Sequence, residues 1–213
     1  MRKFVKTERY QKTKRLGSAL TFLTRYSEEA NEFLNKIVTG EVFTIPHKKN
    51  FKTTLSAHKI MCTVFWNRQG ILLVEFLPRG EPSMRDDIVK YCENCGEQFK
   101  TKGEECSVKA LCCFMTTHVP HSAGVTQNLI QRFGWEQFDH PPYSPELAPS
   151  DYHLFVNLKR DFGGRRSDSD DDARNVVQRW LSSLAASSFE DGIHKLVFRY
   201  DKCLNNGGNY VEK

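Results

Sequence analysis

The side chains able to do chemistry fall into four groups. Asp151 stands in the stretch His140–Phe155, HPPYSPELAPSDYHLF, and Glu41 follows Gly40 in the run VTGEV. Carboxylates are the ligands that hard cations such as Mg²⁺ or Mn²⁺ require. Taken alone, Asp151 reads as a first-turn helix acid set against the positive end of the helix dipole. His118 and His121 stand on either side of Val119-Pro120; taken alone each can be a surface residue, and for His118 that is the better reading. Cys92 and Cys95 form a CxxC pair, with Cys106, Cys112 and Cys113 downstream. The later spacings do not make a second zinc half-site. Cys112 and Cys113 are adjacent in a strand pattern, so they face opposite sides. Chance cysteines in a diverged helix and strand are the expectation. Lys159, Arg160, Arg165 and Arg166 make a basic cluster just after Asp151, suited either to phosphate or to a solvated face.

These groups need elements to position them. Residues 1–15 are basic and polar and read as a frayed end or a linker remnant. Leu16, Leu20, Leu23, Tyr26, Ala30 and Phe33 recur at helical steps, predicting a helix over 16–33. Leu34–Thr39 reads as a short strand that Gly40 ends, followed by a polar loop over 44–57. Lys59–Trp66 and Gly70–Leu77 are the clearest strands, joined through Asn67-Arg68-Gln69-Gly70 into an antiparallel hairpin. A helix over 84–100, a buried strand over 109–115 and a helix over 122–133 follow, then a short strand over Trp135–His140. Four prolines argue against regular structure in HPPYSPELAPS. Ser150 is a candidate N-cap for a helix to Phe162. Ser167–Asp172 opens another helix through Val176, Val177 and Trp180. A last one carries Ile193, Leu196, Val197 and Tyr200 and ends near Asn205-Asn206-Gly207-Gly208. The order predicts an α/β class with a mixed sheet, one domain over 16–213 and no internal repeat.

The composition agrees with a globular domain: 39% hydrophobic, 12% aromatic and 27% charged residues, enough apolar material for a core. A net charge of +5 and a pI of about 8.8 suit contact with nucleic acid without requiring it. No apolar run has membrane-spanning length, and the basic N-terminal residues lead into no apolar core, so neither a membrane span nor a secretory signal is expected. Seven cysteines, an odd number at irregular spacing, suggest reduced thiols in the nucleus or cytosol.

HPPYSPELAPSDYHLF closely resembles the signature of mariner-type DNA transposases, whose usual form has Asp at the Glu146 position. The resemblance is collinear beyond it. LNKIVTG resembles the strand before that family's first catalytic acid, KIMCTVFWNRQGILLVEFLPRG its central hairpin, and VPHSAGVTQNLIQRFGWEQFDHPP the segment after its second acid. FGGRRSDSDDD and DGIHKLVFRYDKCLNNGGNYVEK resemble its C-terminal helices. The match runs from about residue 15 onward. It implies an RNase H-like fold in which three carboxylates converge at one sheet edge. There they hold two Mg²⁺ or Mn²⁺ ions roughly 3.5–4 Å apart for phosphodiester cleavage and transfer at transposon ends. It also implies DNA as partner, a homodimer, and a nuclear setting. The same family domain exists fused to a histone methyltransferase, but nothing here resembles the methyltransferase part, so no methyl transfer is expected.

Residue by residue, the resemblance puts the third acid at Asp151. The second falls at Thr116, anchored on Pro120-His121, with positions 117–150 between it and Asp151 in the family's spacing. Thr116 is neutral and replaces no bridging carboxylate. The first acid is either replaced by Glu41 or deleted, with Glu41 aligned to the next acid. At most two of three carboxylates remain, and a glutamate reaches about an ångström further than an aspartate, a shift that active sites tolerate poorly. His121 matches the family pattern, and Lys159, Arg160, Arg165 and Arg166 fall on the flank that lies near DNA in the family. The expectation is a transposase-derived domain with residual DNA binding, weak or absent metal binding, and little cleavage. The alternative is a domesticated or decayed DNA- or protein-interaction module. No counterpart of the family's helix-turn-helix domains, or of the linker motif that engages the partner's YSPDL-like loop, occurs in residues 1–40.

Overall fold

The computed structural model describes residues 2–45, 60–76, 136, 138–162 and 169–211. The predicted helices over 84–100 and 122–133 and the predicted strand over 109–115 lie outside the described residues. The first element corrects the reading of a basic tail. Helix α1 runs Arg2–Glu29. Its buried stripe is Arg15, Ser18, Ala19 and Phe22, the i, i+3, i+4, i+7 spacing of one helix face. Of the apolar stripe expected from the sequence, Leu20 is 54% exposed, whereas Leu23 and Tyr26 pack against the core and Phe33 is fully buried. A distant partner holds the helix at Arg15: its Nε donates to the Gly208 carbonyl at 2.6 Å, and its guanidinium lies 4.2 Å from the Tyr210 ring centre. Ala30, at a φ of 49°, breaks the helix, and α2 follows over Asn31–Asn35.

Leu34 therefore belongs to a helix, and strand β1 spans Val38–Ile45, through Gly40 rather than up to it. The cause is cross-strand. Gly40 pairs with Phe65, whose ring covers it so closely that a Cβ there would sit 2.3 Å from a ring carbon. Strands β2 (Ile60–Asn67) and β3 (Gly70–Phe76) form the expected hairpin. The Asn67 side chain accepts from the backbone N–H groups of Gln69 (2.8 Å) and Gly70 (3.1 Å), and Gly70 takes a φ of 150°. Among the described residues the sheet is antiparallel in the order β1-β2-β3.

The predicted strand over Trp135–His140 is irregular at its described residues, 136 and 138–140. Phe138 instead inserts edge-on against Phe22 (5.9 Å) and Tyr200 (6.1 Å). The proline-rich loop does hold one regular turn, a 3₁₀ helix over Pro145–Leu147, with proline where no N–H donor is needed. A π-turn, Ser150–Leu154, then leads into α3, Phe155–Phe162. Helix α4 spans Asp170–Ser183, capped by the Ser169 side chain accepting from the Asp172 N–H at 3.0 Å. Helix α5 spans Ala186–Asn205 and buries Phe189, Ile193, Leu196, Tyr200 and Cys203. It stops at Gly207 and Gly208, with φ of 63° and 77°. No described helix is long and apolar enough to cross a membrane.

Two aromatic groups hold these layers. Phe22 stacks on Tyr200 (4.4 Å) and meets Phe33 edge-on (5.1 Å), joining α1, α2 and α5. Trp66 meets Phe189 (5.8 Å) and Phe43 stacks on Phe155 (4.9 Å), joining the sheet to α5 and α3.

Candidate active site

The register of β1 and β2 pairs Thr39 with Trp66, Glu41 with Val64 and Phe43 with Cys62. Cross-strand partners share a face, as do alternate residues of one strand. Glu41 therefore sits on the same face as Trp66, Val64, Cys62 and Phe43, all of them core residues. An acid at such a position breaks the apolar pattern.

The same face fixes what Glu41 looks toward. One step before it, Thr39 Oγ1 lies 3.4 Å from Ser150 Oγ. One step after it, Phe43 stacks on Phe155. Glu41 is thus the strand residue that faces the turn Ser150–Phe155, which carries Asp151. Ser150 is not the predicted N-cap: it is the first residue of the π-turn, and no side chain caps that turn. Its hydroxyl accepts from the Trp66 indole at 3.0 Å instead. Thr39, Trp66 and Ser150 are all buried, so they clamp the Asp151 turn to two strands at once. The sequence carried no signal for this clamp, because its members are far apart along the chain.

Asp151 is half-buried. Burial pushes its carboxyl above the ordinary range, and the Lys159 ammonium pulls it partly back. Lys159 lies on α3 with its Nζ 5.9 Å from the Phe43 ring centre. Arg160 is exposed and pairs with Asp161 at 3.1 Å. The neighbouring residues of the motif have structural roles. The Tyr152 hydroxyl donates to the Gly192 carbonyl at 2.7 Å, under the Arg199 guanidinium, which lies 4.1 Å from the ring centre. His153 Nε2 lies 2.8 Å from the Ser188 carbonyl oxygen, and burial holds its pKa down. In the loop before the turn, Tyr143 is 70% exposed at a φ of 55°, while Leu147 is fully buried. Arg199 also donates to the Glu146 carbonyl at 2.9 Å. Burial pushes the Glu146 carboxyl up, against the pull of Arg15 and Arg199.

Thr116, His118, His121, Arg165, Arg166, Cys92, Cys95, Cys106, Cys112 and Cys113 lie outside the described residues. Among the described residues, no three His, Cys, Asp or Glu side chains gather as a metal site would need. Glu41 and Asp151 are two donors where a two-metal centre calls for at least three acids. The described residues therefore do not fit that group.

The fold has close counterparts. The catalytic domain of Mos1 transposase, solved with raltegravir and Mn, superposes with a TM-score of 0.84 at 28% identity, covering 95% of this chain and 97% of that one. The chain has the fold of that transposase catalytic domain. The mariner Mos1 transposase of Drosophila mauritiana is 29% identical over 220 residues, 95% of this chain and 63% of the relative. The human histone-lysine N-methyltransferase SETMAR is 28% identical over 162 residues, 76% of this chain and 24% of that protein. The chain thus spans under two thirds of either curated relative. A pre-cleavage Mos1 transpososome also matches, with a TM-score of 0.83 at 26% identity over 95% of this chain and 64% of that one. A family model for a transposase, described as a partial DDE domain, matches residues 44–105. The mariner RNase H-like fold expected from the signature is therefore the fold of this chain.

Proposed function

We propose that this mariner-type domain binds DNA through its phosphate backbone and cleaves it poorly or not at all. The observation that carries the reading is the composition of the acidic site. Glu41 on β1 faces the turn of Asp151, and the remaining family position is Thr116. Two carboxylates give too little charge and too few oxygens to hold two divalent ions, and a longer Glu41 side chain shifts one of them. No step through a metal is assigned to this chain. Mn and Mg accompany the Mos1 catalytic domain in solved structures, and that supports divalent metal as the ancestral cofactor.

DNA is the proposed partner because Mos1 forms a transpososome and because the chain is basic. The proposed backbone contacts are Lys159, Arg160, Arg165, Arg166 and His121. A homodimer and a nuclear location are proposed by likeness to the family.

One experiment with two readouts tests this. The chain is mixed with a transposon-end duplex and Mn²⁺, and binding and nicking are followed together. Binding without nicking is expected. Its affinity should fall with salt, and each neutralised lysine or arginine should lower the log–log slope by about one. Thr116→Asp should restore partial nicking. Robust nicking by the unaltered chain sinks the proposal.

A further inference from the structure

The positive charge of the chain is concentrated at one place. Residues 1–15 hold seven basic side chains and one acid, Glu8, a net charge of +6. The whole chain carries +5, so residues 16–213 are together net negative. The fold puts this charge on a single element, because α1 is helical from Arg2 and continues unbroken into the core. Packing takes hold at Arg15, which is buried and donates to the Gly208 carbonyl. Before it, Glu8, Arg9, Tyr10 and Thr13 are exposed. Residues 2–15 therefore make a basic length of helix roughly 20 Å long. The helix itself gains nothing from this charge: its first turn holds no acid, and basic residues there oppose the helix dipole. Lys12 pairs with Glu8 at 3.2 Å and Lys14 with Asp139 at 3.6 Å, both exposed pairs of the weak kind that a phosphate can displace. Arg9 is exposed and joins no ion pair among the described residues.

We propose that the first half of α1 is a DNA-binding element in its own right, which lies along the phosphate backbone of a duplex and supplies most of the salt-dependent affinity of the chain. Phosphates follow one another about every 3.4 Å along a strand, so a helix of this length can face several of them and release their counterions. A lipid surface fits less well. The apolar residues Phe4, Val5 and Tyr10 follow no helical repeat, and a helix lying in a membrane interface needs a continuous apolar face. The inference rests on DNA as the partner, and it moves the main contact away from the α3 flank, where Asp161 already pairs with Arg160.

The test is binding of the full chain to a short duplex of mixed sequence across a salt series. Replacing Arg2, Lys3, Lys6 and Arg9 together by glutamine should lower the log–log salt slope by about three and weaken binding more than about tenfold at low salt. Helical circular dichroism should be unchanged, since glutamine is a good helix former. If it is not, Lys6→Gln with Arg9→Gln gives the same reading with a slope lower by about two. Arg2→Lys with Arg9→Lys keeps the charge and should keep the slope. A fourfold glutamine variant with the slope and affinity of the unaltered chain overturns the inference and leaves the functional proposal standing on Lys159 and Arg160. An unaltered chain that does not bind the duplex sinks both. Capture by phosphatidylserine vesicles that the four substitutions abolish, with duplex binding intact, would assign the charge to a membrane surface instead.

Discussion

At the residue scale, Ser150 has the type and position of a helix cap and does another job. Its hydroxyl is the buried acceptor for the Trp66 indole, so Ser150→Ala leaves an indole N–H without that partner. The expected cost is about 1–3 kcal/mol in urea unfolding. Pairing it with Trp66→Phe should cost little more than Trp66→Phe alone, because that change already removes the bond along with part of a buried ring. Fully additive losses would show that the bond contributes nothing. The limits of the sequence show at the same residue. Asp151 was legible because its signature is contiguous. The role of Ser150 was not, because Trp66 lies 84 residues away and Thr39 lies 111 away. Glu41 was legible as an acid after Thr39-Gly40, but its seat inside a strand depends on Phe65 covering Gly40 from the neighbouring strand.

Elements were readable where their signals are local. The hairpin announces itself through Asn67 and Gly70, and α4 and α5 through their apolar spacing and glycine stop. Helix α1 was misread in length and at Leu20 because part of its buried face is chosen by partners at the other end of the chain. The seating of α5 gives an element-scale expectation. At Gly192 a Cβ would lie 2.6 Å from a His153 ring carbon and 2.8 Å from a Trp66 ring carbon. Gly192→Ala improves helix propensity by about 1 kcal/mol. Overpacking against two buried rings costs typically 1–3 kcal/mol. Packing should win, and the thermal midpoint should drop. A rise would mean that α5 slides away from Trp66 freely.

For the whole molecule, pH is the natural lever. Burial lowers the His140 pKa from 6.5 to about 4. The folded state therefore keeps this imidazole neutral where the unfolded chain takes up a proton. Its contribution to stability is full above pH 6.5 and is lost as pH falls toward 4, by at most about 1.4 kcal/mol per unit. His153 acts in the same direction. The raised carboxyls of Asp151 and Glu146 act in the opposite one, since their folded forms take up a proton first. His140→Gln should therefore flatten the loss of stability between pH 7 and pH 5 relative to the unaltered chain. Identical pH curves for the two would exclude His140 as the source.

The Arg15 clasp has a further consequence, in the order of synthesis. The guanidinium that anchors α1 waits for the Gly208 carbonyl, 193 residues downstream. Tyr200, the ring on which Phe22 stacks, also comes late. Helix α1 is synthesised well before these partners and finds its place only after they follow. Until then its apolar stripe stays open to chaperones and to other nascent chains. A premature stop that spared all of α5 but removed Gly208 would still leave α1 without its anchor.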